Sequence, residues 1–272
     1  MMFTQLLTGL LLGAAIGFVA WRARVLSNSG AFAAALVGML IFGLGRLSWS
    51  MPLLVFFVSS STLSRAFVRR KAAFSEKFSK GSRRDWGQVF ANGGLGAGLV
   101  VAHFALPQQA WPWVAFAGAL AAVNADTWAT ELGVLSTVPP RLITTGQPVE
   151  RGTSGAVSWL GSLAALAGAA LIGACAVLFP AVVGSAVRPF TLLVAASLGG
   201  LAGSLFDSFL GATWQAIYCC PVCEKETERH PLHACGTQTV PLRGLHWLNN
   251  DVVNFACSLF GALATVGVWC LL

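Results

Sequence analysis

Eight apolar segments follow one another along this chain, and most approach the roughly 20 apolar residues that a membrane-spanning helix needs. Of its 272 residues, 56% are hydrophobic and only 10% are charged, whereas a soluble domain carries about 25% charged residues. So few charged residues cannot cover a core of this size in water. We therefore predict an all-α, polytopic membrane helix bundle, a single integral-membrane domain of residues 1–272 in the cell membrane. The predicted membrane helices are 4–21, 30–45, 49–68, 88–106, 111–131, 156–179, 190–212 and 252–272.

Lysine and arginine are distributed unevenly between the two sides of this bundle. If the N-terminus lies outside and eight helices cross, only Arg46 and Arg188 of the 17 basic residues fall on the outer side. Positive charge is retained on the cytoplasmic side of membrane proteins, so we predict that both termini lie outside. The inner charge includes a basic cluster within 65–84, which either sets the topology or attracts anionic lipid headgroups and phosphates. We expect no nucleic acid partner.

Two carboxylates, Asp126 and Glu131, stand in the otherwise apolar fifth segment, where 124–131 reads NADTWATE. A charged side chain in the hydrocarbon region costs at least ~2.5–3.5 kcal/mol, so such residues usually face protein or water and carry function. In the predicted topology both lie near the inner end of their helix. Asp207 and Asp251 lie at the inner ends of the last two helices. These four acids are the predicted catalytic residues.

Further polar residues fall at the same depth of the predicted bundle. Oxygen ligands suit Mg²⁺, which usually takes one or two protein carboxylates together with substrate phosphates. We therefore predict a magnesium–phosphate site, with Asp126, Asp207 and Asp251 as metal ligands, over purely structural polar packing. Alternatively, Asn250 or Asp251 caps the last helix. The candidate substrate-binding residues of the helices are Gln88, Asn92, Asn124, Thr127, Asn250 and Asn254.

The loop at 139–155 ends in a Gly-Thr-Ser-Gly turn directly ahead of an apolar helix. Such a turn offers backbone N–H groups, hydroxyls and the positive end of a helix dipole to an anion. We therefore expect it to hold the phosphates of a nucleotide, and we expect Arg83 and Arg84 to hold the phosphate of an acceptor. The predicted nucleotide-binding residues of the loop are Arg151, Gly152, Thr153 and Ser154.

Four of the seven cysteines cluster in the last inner loop, 213–250, close to two histidines. Cytoplasmic thiols stay reduced, so a C-x-x-C pair with a nearby His and Cys favours zinc over a disulfide or a redox pair. Four ligands would close a tetrahedral structural zinc site. Cys219 and His230 are possible substitutes for a member of the set. The predicted zinc ligands are Cys220, Cys223, His233 and Cys235.

Five short motifs, at 88–92, 124–133, 152–155, 203–207 and 249–254, occur in this order along the chain. Through them the sequence resembles the integral-membrane family (domain of unknown function 92) of the vertebrate transmembrane protein 19 and the plant phytyl-phosphate kinase. That family is distantly similar to the CTP-dependent phytol and dolichol kinases, which share an acidic motif at a helix end and a basic, Gly/Ser-containing nucleotide loop. The resemblance implies that Asp126 and Glu131 match the acidic element and that 151–154 match the loop, with Asp207 and 250–251 completing the site.

The resemblance implies a phytyl-phosphate-kinase-like phosphotransferase. It would transfer the γ-phosphoryl group of CTP or another nucleoside triphosphate to a membrane isoprenyl (phytyl-like or polyprenyl) monophosphate at the cytoplasmic face, with Mg²⁺. Thr145 and Gln147 stand where the kinase loop usually carries lysines, so the nucleotide stays open. A nucleotidyltransferase that forms a CDP-lipid could use the same carboxylates. A transporter is the non-enzyme alternative, but it predicts polar residues through the full membrane depth.

Overall fold

In the computed structural model, residues 2–67, 83–181 and 187–272 are described. Within these ranges eight helices follow one another, and each matches one predicted segment to within a few residues. Five of them, α1, α3, α6, α7 and α8, are long and apolar enough to cross a membrane, whereas α2 has only 17 residues. The outer position of both termini, and a crossing by all eight helices, stay predictions. The helices are α1 Met2–Arg22, α2 Asn28–Leu44, α3 Arg46–Ala66, α4 Trp86–Ala105, α5 Trp111–Gly133, α6 Trp159–Leu178, α7 Pro189–Thr213 and α8 Asn250–Leu271.

Polar caps start several of these helices. Asp85 and Gln88 form a reciprocal capping box at the start of α4, and Ser158 accepts a hydrogen bond from Gly161 N–H at the start of α6. Each cap satisfies backbone N–H groups that the first turn leaves without an intrahelical partner. At α8 the cap is Asn249, whose side chain accepts from the N–H groups of the second and third residues after it. The alternative that Asn250 or Asp251 caps this helix is therefore wrong.

Helix α5 is the central element of the bundle. It packs against α3, α4, α6, α7 and α8, and its residues from Pro112 to Ala125 are all buried. Small residues allow this close packing, because a Cβ on Gly203 of α7 would stand only 2.5 Å from the Cβ of Ala122. The polar residues Asp126, Thr127 and Glu131 therefore follow a buried apolar segment of α5 and lie at one end of the bundle.

The two loops at this end of the bundle form small antiparallel sheets. One sheet pairs β1 with β2, and the other has the strand order β4-β3-β5. The purely all-α prediction was therefore incomplete, because both loops are too polar to enter the membrane and pair their backbone groups with each other. Helix α7 ends at Thr213 and helix α8 begins at Asn250, so these residues bound the second loop. The strands are β1 Arg141–Leu142, β2 Ala156–Val157, β3 Ile217–Cys220, β4 Lys225–Thr227 and β5 Val240–Arg243.

Candidate functional site

A polar cavity of about 540 Å³ lies at the end of the bundle where the two sheets form. Helices α3 to α8 and both loops contribute to its wall. Most of the residues that the sequence predicted for a phosphate site line this one cavity, although the predictions came from six separate stretches of the chain. The predicted residues in its wall are Arg84, Gln88, Asn92, Asp126, Thr127, Glu131, Arg151, Gly152, Thr153, Ser154, Asp207, Asn250 and Asn254.

Three predicted residues do not line the cavity. Asn124 is fully buried and acts as a structural link, because its side chain donates to Gly168 O at 2.8 Å and accepts from Ser59 Oγ at 3.0 Å. Arg83 donates to Leu26 O at 3.3 Å instead of turning into the cavity. The face of α8 that lines the cavity carries residues 250 and 254. Asp251 lies about 100° around the helix from Asn250, so its side chain is outside the cavity wall. Residues 68–82 of the predicted basic cluster lie outside the described residues.

Three carboxylates face one another in the cavity. Asp126 comes from α5, Asp207 from α7 and Glu228 from the residue directly after β4. The negative charges of Asp126 and Glu228 both act on the Asp207 carboxylate. Asp207 Oδ2 is buried and makes no hydrogen bond to any residue that the structure describes. Either a proton or a cation relieves the repulsion between neighbouring carboxylates, and the oxygen donors suit a hard divalent ion such as Mg²⁺.

Glu131 and Arg84 form a second charged group, beside α3. Ser64 Oγ of α3 donates a 2.7 Å hydrogen bond to Glu131 Oε1. The Arg84 guanidinium donates to Ser60 Oγ at 3.0 Å and lies over the ring of Phe56. Burial lowers the pKa of Arg84 to about 10, and the charge of Glu131 opposes this shift. Arg84 therefore keeps its positive charge at neutral pH and offers it to the cavity.

The Gly152–Gly155 turn, predicted to bind nucleotide phosphates, is fixed against the end of α7. Both glycines have left-handed backbone angles, with φ of 80° and 84°, which favour glycine. Ser154 Oγ donates a 2.7 Å hydrogen bond to Gln215 Oε1, and Arg151 donates to Ser136 O at 2.7 Å. The N-terminal turn of α6, with Ser158 and Gly161, lies in the same wall. Such a helix start attracts anions.

Some residues of the cavity wall were not predicted from the sequence. Ser64 belongs to a run of hydroxyl side chains, SSSTLS at 59–64, inside an apolar helix. This run of hydroxyl residues in an apolar helix is a pattern from which a polar site could have been predicted. Gln215 and Glu228 stand in the polar loop after α7. Their positions could not be predicted from helical spacing, because Gln215 and Glu228 reach the cavity wall only through the tertiary fold of this loop.

The cysteine-rich loop brings four side chains together beside the cavity. The candidate ligand atoms of Cys220, Cys223, His233 and Cys235 all lie within 4.8 Å of one another. His230, a possible substitute, instead stacks on Tyr218 with ring centroids 4.4 Å apart. Hydrogen bonds with Thr237 and His233 lower the pKa of the Cys235 thiol to about 5, and the thiolate is the form of cysteine that binds metals.

An apolar cleft opens beside the polar cavity. Its volume is about 70 Å³, and it lies among α1, α2, α3 and α4. Its wall is almost entirely apolar and includes Val37 and Phe57. Arg84, Gln88 and Asn92 line both this cleft and the polar cavity. A ligand with a charged head and an apolar tail could therefore contact both spaces at once.

Comparison with known sequences identifies the family. The family model described as integral membrane protein DUF92 matches residues 11–262 of the chain. The chain belongs to this family. The predicted family resemblance is thereby confirmed, and with it the assignment as an integral membrane protein.

Relatives of this DUF92 chain occur in plants, archaea and cyanobacteria. Protein PGR of Arabidopsis thaliana is 33% identical over 279 residues, which cover 96% of this chain and 95% of the plant protein. An uncharacterized membrane protein of Methanocaldococcus jannaschii is 28% identical, covering 98% of this chain and 96% of its own. Another, from Synechocystis, is 29% identical over 85% of this chain and 78% of its own. No solved structure matches the chain significantly.

Proposed function

We propose that this protein is a nucleotide-dependent kinase of a membrane isoprenyl monophosphate, which it converts to the diphosphate at the cytoplasmic face of the cell membrane. The observation that carries this proposal is that the polar cavity and the apolar cleft share part of their walls. A polar cavity with facing carboxylates and an anion-binding helix start adjoins an apolar cleft at Arg84, Gln88 and Asn92. Phosphoryl transfer depends mainly on positioning and on charge stabilisation, and these residues supply both.

Asp126 and Asp207 are the residues that would hold Mg²⁺. Asp207 supports this role because its Oδ2 atom is buried without a hydrogen bond to any described residue and faces Asp126 and Glu228. When bound, the ion would neutralise charge on the nucleotide phosphates. Glu131 lies apart from this group and is held by Ser64, so we assign it to the orientation of Arg84. Its role is positioning.

The nucleotide phosphates would lie against the 151–155 turn and the start of α6. Backbone N–H groups at the left-handed glycines and the first turn of α6 are donors of the kind that binds phosphate. Ser154 is fixed by its hydrogen bond to Gln215, so this side of the cavity is held before the nucleotide arrives. CTP is the first nucleotide to test, because the resemblance to the phytol and dolichol kinases suggests it.

The acceptor phosphate would lie beside Arg84, with its isoprenyl chain in the apolar cleft. Arg84 is charged and is held by Ser60 of α3, so it offers a fixed positive group at the junction of the two spaces. The cleft holds only part of such a chain, and the rest would extend among the lipids. A soluble acceptor would have no need for an apolar cleft at this position.

The shape of the polar region favours an enzyme over a transporter. A transport path needs polar groups through the full depth of the membrane. In α5, the residues before Asn124 that face the neighbouring helices are apolar and buried, from Trp113 to Val123. Among the described residues, the lining of the polar cavity lies at one end of the bundle, as a one-sided catalytic site requires.

The test uses purified protein in lipid nanodiscs with Mg²⁺, an isoprenyl monophosphate and CTP labelled at either the γ- or the α-phosphorus. Phytyl, geranylgeranyl and longer polyprenyl phosphates are compared. The proposal expects label in the lipid from γ-labelled CTP only. Lipid labelled from α-labelled CTP would identify a CDP-lipid-forming nucleotidyltransferase instead. Absence of lipid label from CTP, ATP, GTP and UTP with every acceptor would contradict both reactions.

A further inference from the structure

The cysteine-rich loop has the geometry of a zinc site. Cys220 Sγ and Cys235 Sγ are 3.6 Å apart, and His233 Nδ1 is 3.2 Å from Cys235 Sγ. Four ligands around zinc at about 2.3 Å from each sulfur would stand about 3.7 Å from one another. A disulfide needs its two sulfurs about 2.05 Å apart, so the observed separations suit a shared metal better than a covalent bond.

The backbone around these ligands already has the form of a metal-binding turn. Cys220 ends β3, and the N–H of Cys223 points at its sulfur at 3.4 Å. This donor offsets part of the negative charge of a thiolate. The second pair is held by a turn in which His233 N–H donates to Thr237 O at 2.9 Å. Both halves of the ligand set are therefore fixed by backbone hydrogen bonds.

The segment between the two ligand pairs carries the side chains that the loop contributes to the cavity. Residues 224–232 connect Cys223 with His233, and Glu228 and Arg229 of this segment line the cavity. The segment pairs its backbone with β3 through the short strand β4, and His230 stacks on Tyr218 of β3. A sheet of three short strands has little stability of its own in water. A metal that joins both ends of the segment would fix it.

We infer that Cys220, Cys223, His233 and Cys235 bind one structural Zn²⁺, and that this ion holds Glu228 and Arg229 in the wall of the cavity. Glu228 is then a third carboxylate beside Asp126 and Asp207, supplied from outside the membrane by a zinc-stabilised loop. The zinc site stands on its own geometry. Only the part that Glu228 plays in phosphoryl transfer rests on the proposed function.

The first experiment measures zinc in the purified full-length protein by mass spectrometry of the metal, with no zinc added after cell lysis. The expected content is about one zinc ion per chain. Cys223→Ser and His233→Ala should lose most of it. Cys219→Ser is the matched control, because Cys219 is adjacent to Cys220 but outside the ligand group, and it should keep the wild-type content. A wild-type protein without zinc, or equal losses in Cys219→Ser and Cys223→Ser, would overturn the inference.

The second experiment tests the structural consequence on the wild-type protein, so that it does not depend on the folding of a variant. Trypsin cleavage after Lys225 and Arg229 is followed by peptide mass spectrometry, with and without a zinc chelator. Zinc should protect both bonds, the chelator should expose them, and added zinc should restore protection. Equal cleavage in all three conditions would overturn the holding role.

The readouts separate this inference from the proposed function. Zinc content and protection after Lys225 do not depend on which reaction the cavity performs. Glu228→Gln should keep wild-type zinc and wild-type protection and lower phosphoryl transfer at least about tenfold. Retention of full transfer by Glu228→Gln, in a preparation where the wild type transfers label, would overturn the part assigned to Glu228.

Discussion

Gln215 joins the two extramembrane loops through its buried side chain. Its amide nitrogen donates a 3.0 Å hydrogen bond to Glu228 Oε1, and its carbonyl oxygen accepts one of 2.7 Å from Ser154 Oγ. The residue is only 2% exposed, and both bonds lie partly buried in the wall of the cavity. The turn that we assign to the nucleotide and the carboxylate from the cysteine-rich loop are therefore held in register by one side chain.

Replacement of Gln215 by leucine removes both bonds at nearly the same side-chain volume. A hydrogen bond to a charged group contributes about 1.5–3 kcal/mol, so we expect the KM for CTP to rise about tenfold or more, with a smaller change in the KM for the acceptor. Gln147→Leu is the matched control, because Gln147 is exposed in the same loop as Ser154. Equal effects of the two substitutions on KM would contradict the linking role.

Arg84 and Arg83 allow a second matched comparison. Arg84 lines the junction of the cavity and the apolar cleft, whereas Arg83 lines neither space and donates to Leu26 O. Arg84→Gln should raise the KM for isoprenyl phosphate at least about tenfold, because a charged hydrogen bond to phosphate is lost. Arg83→Gln removes the same charge one residue earlier and should have the smaller effect. The measurement is acceptor titration at saturating CTP, and a larger effect from Arg83→Gln would refute the assignment.

Gly155 and Gly146 test whether the turn must pack against α7. Both have left-handed backbone angles, with φ of 84° and 69°, so alanine costs about 1–2 kcal/mol in backbone strain at either position. A Cβ at Gly155 would also overlap Ala212, whereas a Cβ at Gly146 would meet nothing within 4 Å. We expect Gly155→Ala to lower the Tm in detergent clearly more than Gly146→Ala does. Equal losses would show that the packing against α7 is unimportant.

The predicted membrane orientation is checked with reporter fusions in a bacterial host. If both termini lie outside, a phosphatase that is active only outside the cytoplasm should be active after Leu272. The same reporter inserted after Gly146, in the exposed turn of the β1–β2 loop, should be inactive, while a fluorescent protein inserted there should fluoresce. Phosphatase activity at Gly146 would contradict the predicted orientation, because the cavity would then lie on the outer side.

Local patterns predicted those parts of the site that depend on one helix at a time. Gln88 with Asn92, and Thr127 with Glu131, are each four residues apart, and both pairs reached the cavity as helical spacing requires. The same reasoning failed for Asn124. It lies one turn deeper, where α3 and α6 use its amide for packing.

The remaining part of the site depends on contacts between segments distant in sequence. Glu228 was one of several acids in a polar loop, and its neighbours Glu224 and Glu226 are exposed. Only the pairing of β4 with β3 and the approach of Gln215 bring Glu228 to the cavity. Conversely, Asp251 was a plausible metal ligand by residue type. In the structure α8 begins after the cap at Asn249, and its cavity face carries Asn250 and Asn254 but not Asp251. Such rotations and loop paths are tertiary properties.

The most direct test of the central claim is transfer of the γ-phosphoryl group by carboxylate variants in nanodiscs. Asp126→Asn and Asp207→Asn should each lower transfer at least about 100-fold, because each replaces a carboxylate that would hold Mg²⁺ with a neutral amide. Glu226→Gln, which removes an exposed charge on β4, should transfer label at the wild-type rate. Wild-type transfer by Asp207→Asn would contradict the account, because this carboxylate would then have no part in phosphoryl transfer.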